Sequence, residues 1–303
     1  IFMKKRNNIT ESQNINSIDI DTKEISEIVQ IFNDDNKCII DGINNSMDDI
    51  KDAVEITLEA LLSGGRLFYV GAGTSGRLGV LDASECKPTF SVDDEMVQGI
   101  IAGGRKALSE SIEGAEDNIK DVKKIIKQKN IVSKDVVLGI SCSGTAPFVL
   151  EFLNQSKKRD ANTIFITFNN IDPLDYVDKI IRTYVGPEII SGSTRMKSGT
   201  ATKMILNMIS TITMIKLNKT YGNFMVDLNV VNKKLEYRAI NIIKSLTGIN
   251  EKKSREALVK AKGKVKIALI MTELGLSYKE SVDLIDKNDG SLRKILDQYK
   301  KDN

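Results

Sequence analysis

Five short apolar runs, at residues 66–70, 97–101, 135–140, 163–167 and 182–186, are separated along this chain by stretches with helical spacing. Strands that alternate with helices predict a parallel sheet covered by helices on both faces, a doubly wound α/β fold. Ahead of the first run, the pattern IxxAVxxxLxALL within 45–63 reads as a helix that stops at Gly64 and Gly65. Residues 4–35 are polar and rich in Asn, Asp and Ser, which reads as a mobile arm followed by a short helix near 22–32. After Ser191 strand candidates cease and helical patterns take over, punctuated by Gly248 and Gly275. The expected organisation is an N-terminal arm with helices at 1–56, an α/β domain at 57–220, and a helical region at 221–303 with a small satellite domain from about 249.

Composition narrows the chemistry. The net charge of +3 comes from 44 basic and 41 acidic residues spread along 303 positions, so neither a nucleic acid nor a membrane partner is implied. Apolar runs such as 267–271 fall far short of a bilayer span, and no apolar signal region stands near the start, so a cytoplasmic location is expected. Cys38, Cys86 and Cys142 have no paired spacing and read as reduced thiols rather than disulfides or zinc ligands. The chain contains no histidine. That removes Ser-His-Asp and Cys-His systems and the commonest transition-metal ligand, leaving carboxylates, lysine, tyrosine and cysteine for acid–base work. No metal or cofactor site is expected.

The segment RLFYVGAGTSGRLGVLDASE at 66–85 reads as a strand, a glycine and hydroxyl loop, and a helix. Gly71, Gly73 and Gly76 allow close backbone approach, while Thr74 and Ser75 offer hydroxyls beside the unpaired N–H groups of a helix start. The glycines also fit the dinucleotide fingerprint, which calls for an acidic residue at the end of a second strand about 20 residues on. Asp93 and Asp94 lie near that distance, but the preceding KPTFSV contains a proline and makes a poor buried strand. Two further loops repeat the pattern: SCSGTAP at 141–147, with Ser141, Ser143 and Gly144 before Pro147, and SGSTRMKSGTATK at 191–203. Any one such loop need only turn the chain and cap a helix. Three at the carboxyl ends of parallel strands favour a phosphorylated small molecule. Ser193, Thr194, Arg195 and Lys197 are candidate ligands in the third loop, although its two cations read equally as surface charges.

These residues resemble a known family. GAGTSGRLGVLDASE at 71–85, IEGAEDN at 112–118, GSTRMKSGTATKMILNMIS at 192–210 and YGNFMVDLNVVNKKL at 221–235 are similar to N-acetylmuramic acid 6-phosphate etherase, a sugar isomerase (SIS) domain lyase of peptidoglycan recycling. The resemblance implies cleavage of the D-lactyl ether of that sugar phosphate to N-acetylglucosamine 6-phosphate and D-lactate, with no metal or nucleotide. It also implies a homodimer with composite sites. By position in the family motifs, Glu85 protonates the departing lactate oxygen and Glu116 is the base at C2. In related SIS domains the second hydroxyl loop does most of the phosphate binding, which points to Ser141 and Ser143. Apart from the family, Glu110, Glu113 and Glu116 at a spacing of three read as a solvated acidic face, and Glu85 as a polar residue near a helix end closed by Pro88.

Two points strain a simple transfer of roles. In one unbroken helix Glu85 lies about 16 Å along the axis from Thr74, so either the helix ends early near Asp82 or Glu85 serves a phosphate held elsewhere, by the 141–145 loop or by a partner subunit. And where family members commonly read ASGRTP, this chain reads CSGTAP, so an arginine is replaced by Thr145 and a threonine by Ala146. Burial is the expected means of raising a catalytic glutamate pKa toward neutrality. Two alternatives share the fold: a sugar-phosphate sensor similar to the glucokinase regulatory protein, which needs the loops but not both glutamates, and an aldose–ketose isomerase, whose usual ring-opening histidine is absent.

Overall fold

The computed structural model describes residues 8–228, 230 and 232–302, so the first seven residues of the arm lie outside it. The chain divides into two compact units, one made of residues through Ser84 with Asp94–Ser210, the other of Glu85–Asp93 with Thr211 onward. In chain order the elements are α1 (Ile25–Asp35), α2 (Cys38–Asn44), α3 (Met47–Leu62), β1 (Leu67–Gly71), α4 (Gly73–Phe90), β2 (Val97–Ile101), α5 (Val122–Lys129), β3 (Val136–Ile140), α6 (Pro147–Lys157), β4 (Asn162–Thr167), β5 (Lys179–Arg182), α7 (Lys197–Lys216), α8 (Lys233–Thr247), α9 (Glu251–Lys260), α10 (Val265–Leu274), α11 (Tyr278–Lys287) and α12 (Leu292–Asp302). No helix among the described residues is long and apolar enough to cross a membrane.

The first unit is the expected α/β fold. Its five strands pair in parallel in the order β2-β1-β3-β4-β5. Because side chains alternate across a strand, Phe68 and Val70 of β1 join Val122, Ile126, Phe148, Val149, Phe152 and Leu153 of α5 and α6 in one buried cluster. On the opposite face Tyr69 meets Gly79 of α4, where a Cβ would lie 2.8 Å from the Tyr69 Cβ, and its hydroxyl donates to Asp82 at 2.9 Å. α3 turns Ile50, Ala53, Val54, Thr57 and Leu61 inward at helical spacing.

Three local expectations change. The fifth strand is Lys179–Arg182 rather than 182–186. Beyond Arg182 the chain leaves the sheet because side chains of the N-terminal helices take its polar groups: the Ser46 hydroxyl bonds the Arg182 carbonyl (2.8 Å) and Thr183 Oγ1 (2.9 Å), and the Cys38 thiol donates to the Val185 carbonyl. The arm, expected to be mobile, is docked from Asn8 onward, since its buried Thr10, Asn14 and Ser17 bond Asn169, Pro187 and Ile189 far along the chain. Finally, α4 neither ends near Asp82 nor stops at Pro88. Pro88 forgoes only the bond to the Ser84 carbonyl, and the helix continues through Phe90, with Cys86 and Phe90 buried.

The second unit is helical and has its own core, in which Leu235, Ala239, Ile240 and Ile243 of α8 pack with Leu258, Val265, Ala268, Leu269 and Leu292. Gly248 and Gly275 close α8 and α10 with φ of 73° and 69°, a left-handed conformation that glycine adopts without steric cost. Lys266 is buried here and donates to the Asn218 and Gly290 carbonyls and to Asp227, at 2.7, 2.9 and 2.8 Å. Burial pushes its pKa down while Asp227 opposes that shift, and three acceptors match the three N–H donors of an ammonium.

Candidate functional site

The register of the sheet places the site. Gly71 pairs with Ile101 and with Ile140, so β1, β2 and β3 end level with one another. β1 lies between β2 and β3, and the chain leaves it toward opposite edges, which makes the space beyond β1 and β3 a topological switch point. A cavity of about 440 Å³ opens there. It is lined by Ala72–Arg77 except Gly76, by Ser111–Glu116 after β2, by Ile140–Ser143 after β3, and by Glu11, Gly192 and Thr194.

The glycine fingerprint at the end of β1 has a packing role at two of its three positions. A Cβ on Gly71 would stand 2.5 Å from the Gly76 nitrogen, and one on Gly76 would stand 2.7 Å from the Gly71 carbonyl oxygen and 2.6 Å from Ile101. The first turn of α4 therefore sits directly on the strand it follows. Gly73, at φ +51°, starts the helix facing open space, and Thr74 and Ser75 of that turn line the cavity. Gly76→Ala is expected to cost about 2 kcal/mol, because its nearest neighbours are backbone and a core isoleucine with no room to yield. Calorimetry should show a Tm lower by several degrees; an unchanged Tm would contradict the close packing.

The loop after β3 is a chain of hydroxyls at the start of α6. Ser141 Oγ accepts from the Ala146 N–H (3.2 Å) and lies 3.4 Å from Ser143 Oγ, which bonds Thr145 Oγ1 at 2.8 Å and accepts the Thr145 N–H. Pro147 occupies the first helical turn, where its missing N–H is no loss. The starts of α4 and α6, with their hydroxyls, form a polar wall suited to a phosphate. Cys142 faces the same cavity beside Ser75, its Sγ 3.6 Å from the hydroxyl, and burial pushes its thiol pKa up. A protonated thiol there adds little charge to the wall.

The opposite wall carries carboxylates. Glu116 stands in a short turn, Ala115–Asp117, entered through Gly114 at φ +69°, and Glu113 precedes it. Arg77 ties this loop to α4: its Nε donates to the Leu108 carbonyl (3.2 Å) and its Nη2 to the Glu110 carbonyl (2.8 Å). Among the described residues Arg77 is the only basic one lining the cavity, against Glu11, Glu113 and Glu116. The wall offers an anion hydroxyls and helix N–H groups more than paired cations.

Of the residues expected from the sequence, the structure brings Gly73, Thr74, Ser75, Glu116, Ser141, Ser143 and Thr194 to one cavity. Gly144, Ser193, Arg195, Lys197 and Glu85 are not among its lining residues. Gly144 is buried at φ +76°, where a Cβ would meet Ile171 and Thr167, so it shapes the loop from beneath. Lys197 is only 3% exposed and its ammonium pairs with Asp35 at 2.9 Å. Glu188, fully buried, accepts the Lys197 and Ser198 N–H groups (2.9 Å each) and caps the start of α7. Arg195 is exposed, Ser193 half-buried. Glu85 is exposed in α4, eleven residues beyond Thr74 in an unbroken helix. Glu116 is exposed too, so the burial expected to tune either carboxylate is absent from the chain by itself.

Asn169, Arg77 and Ser111 were not expected at the site from the sequence. Asn169 is fully buried, and its amide donates to the Cys142 and Ser143 carbonyls (3.2 Å each) and to Thr10 Oγ1 (2.8 Å). The hydroxyl loop and the N-terminal arm thus share one anchor. An asparagine just past a strand end was the available signal, and it reads locally as a turn residue.

The chain is similar to known proteins over most of its length. A family model described as the glucokinase regulatory protein N-terminal SIS domain matches residues 49–157, and one described as the C-terminal lid domain of glucokinase regulatory protein matches residues 222–289. A protein of Picosynechococcus sp. named N-acetylmuramic acid 6-phosphate etherase is 46% identical over 95% of this chain and 96% of its own length. One of the same name from Clostridium beijerinckii is 45% identical over 97% of both. Among solved structures, a phosphoheptose isomerase from Neisseria gonorrhoeae aligns with a TM-score of 0.45 at 16% identity, covering 62% of this chain and 98% of that one.

Proposed function

The chain belongs to the N-acetylmuramic acid 6-phosphate etherase family and is a lyase acting on that sugar phosphate, and from that premise we propose that the cavity beyond β1 and β3 is where the ether is cleaved. One observation carries the assignment of site: Glu116 shares a single cavity with both hydroxyl-bearing helix starts.

The chemistry follows from the substrate. Once the sugar ring is open, the C3 ether lies β to the C1 aldehyde, which acidifies the C2 proton. The phosphate rests at the starts of α4 and α6, against Thr74, Ser75, Ser141 and Ser143. The Glu116 carboxylate takes the C2 proton, the C2–H electrons form the C2–C3 double bond, and the C3–O bond breaks. Glu85 delivers a proton to the departing lactate oxygen. Water then adds its oxygen to C3 and a proton to C2 of the unsaturated aldehyde, giving N-acetylglucosamine 6-phosphate. Two positioned carboxylates suffice for these transfers in a chain without histidine. The substrate is a fragment of peptidoglycan turnover, and we place the enzyme in the cytoplasm, where Cys38, Cys86 and Cys142 remain free thiols.

We further propose a homodimer in which each site takes Glu85 from the neighbouring chain. Two observations support it. Glu85 does not line the cavity of its own chain. And α1 has no buried residue, with Ile25 80% and Val29 62% exposed on an amphipathic helix; such a face asks for a partner.

Purified protein incubated with N-acetylmuramic acid 6-phosphate should release D-lactate, read by a coupled dehydrogenase. Release no greater than that of a Glu85→Gln, Glu116→Gln double variant would sink the proposal.

A further inference from the structure

We propose that Glu11, brought in by the N-terminal arm, is a substrate-contacting residue of this site: its carboxylate accepts a hydrogen bond from a neutral donor of the sugar, a hydroxyl or the acetamido N–H. The inference rests on the etherase reading of the cavity and adds a group that the chemistry above does not use. Glu11 lines the cavity together with Thr74, Ser141, Glu116 and Thr194. Its position is set by the backbone on either side. Thr10, 1% exposed, donates its N–H to Asn169 Oδ1 (3.2 Å), receives the Asn169 amide on its hydroxyl (2.8 Å), and accepts the Gly192 N–H on its carbonyl (3.0 Å). The next residue is thereby held against Gly192, where a Cβ would stand 3.0 Å from Glu11 Oε2. Gly192 has φ +78°, so both its backbone and the carboxylate beside it exclude a side chain.

No hydrogen bond or ion pair joins the Glu11 carboxylate to another described residue. A carboxylate on an anchored backbone, with no partner among the described residues and at the wall of a cavity, can only accept. The substrate carries two anionic groups, the phosphate and the lactyl carboxylate, and both are disfavoured beside it by like charge. Its hydroxyls and amide N–H remain. Asn169 binds the Cys142 and Ser143 carbonyls as well as Thr10, so the arm and the phosphate-binding loop keep a constant spacing. Glu11 thereby reads the sugar at a set distance from its phosphate.

Steady-state lactate release by the full chain tests this. Glu11→Ala is expected to lower kcat/KM by about 10- to 100-fold, the range for loss of a hydrogen bond to a charged group, with Tm little changed because the side chain is exposed and has no partner among the described residues. Glu11→Gln keeps an acceptor oxygen and should recover part of the loss. Calorimetric titration with the product, N-acetylglucosamine 6-phosphate, should show weakened binding by Glu11→Ala. An unchanged kcat/KM in Glu11→Ala overturns the proposal, as does a loss of activity that tracks a fall in Tm in both variants. Should the wild-type chain release no lactate, the etherase reading falls first. The product titration then still decides for Glu11, since equal affinity of wild type and Glu11→Ala refutes the contact.

Discussion

Glu116→Gln is expected to lower lactate release by about three orders of magnitude, within the range that general base catalysis supplies, while leaving Tm close to that of the wild type because the side chain is exposed. The amide keeps the shape of the group and loses the ability to take a proton from C2. Run in deuterated water, the wild type should exchange the C2 proton, Glu116→Gln should not, and Glu85→Gln should retain exchange while releasing little lactate. That asymmetry separates base from acid. Exchange lost with Glu85→Gln and kept with Glu116→Gln would reverse the two roles, and near-wild-type turnover of Glu116→Gln would remove Glu116 from the mechanism.

Mixing two inactive variants is expected to restore activity. Glu85→Gln and Glu116→Gln homodimers, dissociated together and reassembled in equal amounts, should reach about one quarter of wild-type turnover, because half of the dimers are then mixed and one site of each mixed dimer holds both intact glutamates. The physical basis is the length of α4. It runs without a break from Gly73 to Phe90, so Glu85 stands about 16 Å along the axis from Thr74 at the cavity wall, well beyond the distance between the phosphate and C3 of one hexose. Sites assembled from a single chain would give no recovery, since every chain in the mixture lacks one glutamate.

Much of the fold was legible in the residues. Four of the five strands stand at the short apolar runs that the sequence shows, and the helix of 45–63 ends just before Gly64 and Gly65 as its pattern predicts. β5 was misplaced because TYVGP after Arg182 is apolar enough to read as strand, while the groups that draw it off the sheet, Ser46 and Cys38, lie about 140 residues away. Pro88 misled in the opposite direction: a proline near a helix end reads as a stop, but α4 runs on past it to the buried Phe90. The candidate site divides similarly. Thr74, Ser75, Ser141 and Ser143 were legible because a hydroxyl at a helix start is a local feature. Lys197 read as a substrate cation from its neighbours in sequence, yet the carboxylate that takes its charge, Asp35, comes from the N-terminal helices.

By itself the sequence determined the parallel α/β class, the three hydroxyl loops and the reliance on carboxylates in a chain without histidine, since each follows from residue type and short-range spacing. Which carboxylates face the loops, that Arg77 ties the Glu116 turn to α4, and that Asn169 holds both the arm and the Ser143 loop were decided by the tertiary structure alone. Those contacts join positions separated by about 30 to 160 residues, and what brings them together is the level ending of β1, β2 and β3, which no local pattern encodes.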